Sequence, residues 1–138
     1  MKIFLDANIL FSAAYTDGAI RALLKMIREE GHVCWIDSVA TEEATRNIHI
    51  HRPRALQDLE QVIRTCTHST SLPTYPAQLD IVDLPESDRH ILLAAISLRC
   101  DRLLTGDKKH FGSLYNRTIH GVTITSPLQL HKVLQKGR

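Results

Sequence analysis

Short apolar runs that break off at acids or hydroxyls, separated by stretches of helical spacing, constrain this chain more than any other feature. Ile3, Phe4 and Leu5 run into Asp6 and Asn8, and Val33 to Ile36 forms a second run. Arg102 to Thr105 reads as a third strand and stops at Gly106-Asp107. An unbroken apolar run of this length is the pattern of a strand buried on both faces, as in a parallel sheet. Between the runs, Ile20, Leu23, Leu24 and Ile27 recur at helical spacing from Gly18 to Glu29, with Gly31 where a C-terminal glycine cap would sit. Ser38 or Thr41 can cap a helix through Glu43 to about Ile48, and Pro53 restarts the chain into a helix carrying Leu56, Leu59, Val62 and Ile63. The stretch TCTHSTSLPTYP is loop by its Ser, Thr and Pro content, and an extended connector leads from it to LPESD. Ser87 or Asp88 opens a helix with Ile91, Leu92, Ala95, Ile96 and Leu98 on one face. Val122 to Ile124 is the last strand, and SPLQLHKVL closes the chain as a helix with Pro in its first turn. Strands alternating with helices, without an internal repeat, imply an α/β fold whose parallel sheet lies between helices.

At 138 residues the chain has the length of one domain, expected to span 1–138, and 6 Gly and 5 Pro leave little room for a linker. The apolar start MKIFLDANILF is interrupted by Asp6 and Asn8, and no stretch approaches 18 apolar residues, so the expectation is a protein neither exported nor membrane-spanning. Cys34, Cys66 and Cys100 are odd in number and in no CxxC pair, which argues against a disulfide framework and for a reducing, cytoplasmic location. A net charge of +2 is too mild to identify a nucleic-acid binder. Its distribution carries more: basic residues gather from Arg46 to Arg54, at Lys108 and Lys109, and at Lys132, Lys136 and Arg138.

Ligand sites in open parallel sheets gather at the carboxyl ends of strands, where Asp6 and Asp107 stand. Glu43 and Asp88 follow a strand end or a loop and can face the same rim. Singly, each acid has an ordinary explanation. Asp6 and Asp107 suit turns, Glu43 suits an ion pair with Arg46, and Asp88 suits a helix N-terminus. Jointly, four carboxylates in one cleft repel strongly unless cations neutralise them, and hard oxygen donors without thiolates favour Mg²⁺ or Mn²⁺. The eight histidines include His49, His51, His90 and His110, but no HExxH spacing, so no zinc site is read from them. Cys34 and Trp35 read as core.

These motifs resemble the PIN-domain nucleases, many of which are VapC-like toxins of type II toxin-antitoxin pairs. The resemblance spans nearly the whole chain. FLDANIL matches the family's opening D-x-N and places its first acid at Asp6, with Asn8 beside it. SVATEEATRNI places the second on a helix, where the register selects Glu43 and leaves Glu42 as the alternative. DRHILLAA gives Asp88, and LLTGDKKHF gives Asp107 with Thr105 as a hydroxyl helper. The resemblance implies a PIN-like three-layer α/β/α sandwich and a Mg²⁺- or Mn²⁺-dependent endoribonuclease, with an antitoxin partner and a homodimer as further expectations. On that reading Asp6, Asp88 and Asp107 hold metal, Glu43 holds metal or orients the attacking water, and Asn8 and Thr105 bond to water or phosphate. Glu86 can add a ligand beside Asp88. Arg46, Arg89, Lys108 and Lys109 are candidates for RNA contacts. Rival readings are an idle PIN-fold binding module and a nuclease of RNA processing or DNA repair. A metal-dependent phosphatase needs a second Asp two residues after its nucleophile, where this chain has Asn8.

Overall fold

The computed structural model describes residues 1–70 and 84–137. Numbered in chain order, its strands are β1 (Lys2–Leu5), β2 (Val33–Ile36), β3 (Thr67–His68), β4 (Arg102–Leu104), β5 (Thr118–Ile119) and β6 (Val122–Thr125). Its α-helices are α1 (Ala7–Tyr15), α2 (Ala19–Glu29), α3 (Ser38–His51), α4 (Leu56–Arg64), α5 (Glu86–Ser97), α6 (Lys108–Phe111) and α7 (Pro127–Lys136). The strands form one sheet in the order β3-β2-β1-β4-β6-β5. Every pairing is parallel except that of β5 with β6, a hairpin closed by His120 and Gly121 at φ +47° and +85°. Two central residues of positive φ make the type I′ turn that matches strand twist.

The period-2 alternation of side chains divides the core in two. Ile3, Leu5, Cys34, Ile36 and Leu104 meet buried residues of α1, α2, α3, α4 and α7, whereas Phe4, Leu103, Val122 and Ile124 meet those of α5 and α6. Helices therefore cover both faces, and the fold is the expected three-layer sandwich. Fully buried side chains of this size each stabilise it by roughly 1.5–3 kcal/mol.

β1 lies at the centre of the sheet. From it the chain proceeds through β2 and β3 to one side, then resumes at β4 on the other. Such a reversal opens a crevice between the carboxyl ends of the two strands involved, here β1 and β4. The Asp6 amide donates to the Leu104 carbonyl at 3.0 Å and holds those two ends together.

Several local expectations need correction. The segment after Asp6 is helix α1, not merely a turn. Ala7, Ile9, Leu10, Ala13 and Ala14 are all buried where the helix packs against α2, α3 and α4, and its open side, Asn8, Phe11, Ser12 and Tyr15, is half aromatic, so polarity marks its period weakly. α3 is capped by Asp37, whose Oδ1 accepts from the Ala40 amide at 2.9 Å, and neither Ser38 nor Thr41 fills that place. The helix continues to His51. α5 begins at Glu86 after Pro85 as N-cap, which puts Asp88 inside the first turn. Thr67–His68, read as loop, forms an edge strand beside β2. The remainder of the loop reading, residues 71–76, and the connector to LPESD lie outside the described residues.

Candidate active site

Asp6 follows β1 and caps α1, and the residue is 3% exposed at the crevice. Oδ1 accepts from the Ala7 amide at 2.7 Å. Oδ2 accepts from Thr105 Oγ1 at 2.8 Å and from Asn8 Nδ2 at 3.0 Å. Asn8 is itself fixed, since its Oδ1 accepts from the Gly106 amide at 2.9 Å. Thr105 Oγ1 also accepts from the Asp107 amide at 3.1 Å, and its carbonyl accepts from the Tyr115 hydroxyl at 2.9 Å. Asn8 and Thr105, expected to bond water or phosphate, thus spend their polar groups positioning Asp6 and joining it to the segment that carries Asp107. Gly106 passes close by: a Cβ there would stand 3.3 Å from Asn8 Oδ1.

Asp107 caps α6, and Phe111 fastens that short helix from within the core. Asp107 Oδ1 accepts from the His110 amide at 3.2 Å, and its Oδ2 lies 2.8 Å from His110 Nδ1. Asp88, from the first turn of α5, places Oδ2 3.0 Å from the same nitrogen. One Nδ1 carries at most one hydrogen and cannot serve both carboxylates, of which Asp107 is the nearer. Asp88 Oδ2 is consequently shut off from solvent without accepting a hydrogen bond. Asp88, Asp107 and His110 offer three ligand atoms within 4.8 Å of one another.

Crowded, buried acids resist ionisation. Burial pushes Asp6 up to about 6, against the lowering effect of its bonds from Thr105 and Ala7, with the charges of Glu43 and Asp88 adding to the rise. Burial also raises Asp88, which His110 partly offsets and Asp107 reinforces. The Tyr115 hydroxyl is raised by burial and then by Asp107 and Asp6. These mutual effects mark Glu43, Asp88 and Asp107 as electrostatic neighbours of the crevice.

A cleft of about 700 Å³ opens over the cluster and is lined by Asp6, Asn8, Glu42, Glu43, Asp88 and Asp107, with Arg46, Asn47 and His51 also on its wall. All four expected acids border one space. Glu43 is half-buried and Glu42 exposed, and both reach the cleft. Glu86 is exposed on the first turn of α5, outside the lining. Of the expected RNA contacts, Arg46 lines the cleft, whereas Arg89, Lys108 and Lys109 are exposed beyond it. His110, Asn47 and His51 were not read from the sequence as site residues. A search for HExxH spacing passes over His110, yet its position three residues after Asp107, on the same side of a helical turn, was the available signal.

The sequence matches no family model and no curated protein. A solved structure does match in three dimensions: the crystal structure of VapBC2 from Rickettsia felis bound to a DNA fragment from their promoter, with a TM-score of 0.69 over 91% of this chain and 98% of that one. The two chains share one fold. Their sequences are 16% identical, so the likeness is one of architecture, and it agrees with the PIN-like sandwich expected from the motifs. Among the described residues, no helix is long and apolar enough to cross a membrane. Cys34, Cys66 and Cys100 are free thiols. Burial pushes Cys34 up to about 12 and Cys100 up to about 11, and raises Cys66, so none is prepared for nucleophilic chemistry.

Proposed function

We propose that this chain is a divalent-metal-dependent endoribonuclease of the PIN type, the VapC-like toxin of a toxin-antitoxin pair. The observation that carries the reading is the convergence of Asp6, Glu43, Asp88 and Asp107 on one cleft at the switch point of the sheet. The donors fit a divalent cation: Asp88 and Asp107 gather beside His110, Asp6 and Glu43 border the same cleft outside that group, no thiolate lines it, and Asp88 Oδ2 is a buried oxygen without a hydrogen bond. Asp6, Asp88 and Asp107 are the residues to hold Mg²⁺ or Mn²⁺, with Glu43 completing the donor set or orienting water. When bound, such an ion promotes ionisation of water and neutralises charge on a phosphodiester.

The chain's own groups supply positioning. The bonds from Ala7, Asn8 and Thr105 hold the Asp6 carboxylate in one orientation, so no rearrangement is needed when charge arrives. Arg46 on the cleft wall is placed to meet a phosphate, while Asn47 and His51 offer hydrogen bonds to ribose or base. The exposed Arg89, Lys108 and Lys109 attract the strand from outside the cleft. The fold shared with the VapBC2 structure supports an antitoxin partner, and a homodimer remains part of the proposal.

The test is incubation of end-labelled single-stranded RNA, and DNA of equal length and sequence, with the purified protein in Mg²⁺, Mn²⁺ or EDTA. Internal cuts in RNA that need metal are expected. Cutting of DNA with RNA spared would overturn the ribonuclease assignment, and binding of RNA without cuts in either metal would favour an idle binding module.

A further inference from the structure

We propose that His110 is a metal ligand, which makes the site a mixed nitrogen and oxygen site that prefers Mn²⁺ to Mg²⁺. The inference rests on the metal-dependent reading above and adds a donor that the acidic motifs do not contain. His110 Nδ1 lies 2.8 Å from Asp107 Oδ2 and 3.0 Å from Asp88 Oδ2. Separations of this length are those of polar contacts and are also compatible with donors that one small cation would share. One imidazole hydrogen cannot serve two carboxylates, so the contact leaves one oxygen without a hydrogen bond. Here Asp88, nine-tenths buried, turns Oδ2 toward the cluster and accepts no hydrogen bond there. An ion among the three atoms supplies what that oxygen lacks.

The local structure brings the imidazole to this place. The His110 amide donates to Asp107 Oδ1 at 3.2 Å, which fixes the turn carrying both residues, and Phe111 anchors it in the core. The ring is about a third exposed, leaving the cluster open to an entering ion. Coordination through Nδ1 requires only that the ring carry its hydrogen on Nε2, a tautomer neutral imidazole adopts readily. Imidazole nitrogen raises affinity for first-row transition ions and adds little for Mg²⁺, which favours oxygen and retained water.

The deciding experiment is pulsed electron paramagnetic resonance of the protein loaded with Mn²⁺ alone, on the wild type, on wild type carrying ¹⁵N-histidine, and on His110→Gln. A directly coordinated ¹⁴N signal is expected in the wild type, replaced by the ¹⁵N pattern on histidine labelling and lost in His110→Gln while Mn²⁺ stays bound at an affinity on the order of tenfold lower. The labelled wild type answers the question even if the variant does not fold. Bound Mn²⁺ without histidine nitrogen in its sphere, or with the signal unchanged in a folded His110→Gln, overturns the assignment and leaves the carboxylate site standing. Failure of the wild type to bind Mn²⁺ overturns this inference and the metal-dependent reading with it.

Discussion

Asp6 concentrates the conflict between stability and chemistry. Its carboxyl group is raised from 3.8 to about 6, chiefly by burial, so the folded chain holds a proton that the unfolded chain releases at lower pH. The sign follows directly: without metal, the Asp6 contribution to stability is fully present below about pH 4 and is lost as pH rises through 6, amounting to about 3 kcal/mol for a shift near two units. Asp6→Asn removes that slope, so urea unfolding in EDTA at pH 8 is expected to find the variant more stable than the wild type. A variant less stable at pH 8 would mean that the carboxylate is held by its bonds more than it is penalised by burial. Thr105→Val tests the positioning role separately. It removes the donor to Asp6 and the acceptor for the Asp107 amide, and is expected to lower cleavage by roughly 10–100-fold, read from initial rates at saturating metal. Strand ends and helix starts placed the acids near one rim, but picking out these four rested on the resemblance to the PIN motifs, since each alone also suits a turn, an ion pair or a helix start. Asn8 and Thr105 were named beside them, but that they bond Asp6 rather than water or phosphate was not legible, because a hydrogen bond such as Thr105 to Asp6 joins residues far apart in the chain and depends on side-chain rotamers.

At the level of elements, legibility followed amphipathicity. α2 shows its period plainly and ends as the sequence requires: Gly31 adopts φ +83°, its amide donates to Arg28 O, and the His32 amide donates to Ile27 O, both at 3.0 Å. Those two bonds form a Schellman cap. Gly31→Ala is therefore expected to destabilise by about 1 kcal/mol, measured by chemical denaturation, since the added Cβ meets no neighbour and only the backbone conformation resists. α1 was not legible, because its open face, Asn8, Phe11, Ser12 and Tyr15, is half aromatic and so contrasts little with its buried side. β3 was hidden for the opposite reason, since two polar residues at a sheet edge carry no strand pattern. α7 was visible through Pro127, while the reciprocal capping box of Ser126 and Gln129 at its start was an available signal.

For the molecule as a whole, parallel strands on either side of β1 force acids distant in sequence into one crevice, and folding must hold that negative charge together. Divalent metal should relieve the repulsion. Added Mn²⁺ is accordingly expected to raise the thermal midpoint, and the rise should shrink in Asp88→Asn, as a ligand that binds the folded state alone requires. Equal shifts in both proteins would place the ion elsewhere. The fold class followed from the alternation of strands and helices alone, while the register that favoured Glu43 left Glu42 open, and both side chains border the cleft. The central claim is that the convergent carboxylates cut RNA. Its most direct test compares wild type with folded Asp6→Ala and Asp107→Ala on a mixed RNA pool in Mg²⁺, Mn²⁺ and EDTA: metal-dependent cutting in the wild type, reduced at least 100-fold in each variant, is the predicted result, on the order of what losing a catalytic electrostatic group costs. Variants that cut as well as the wild type would contradict it.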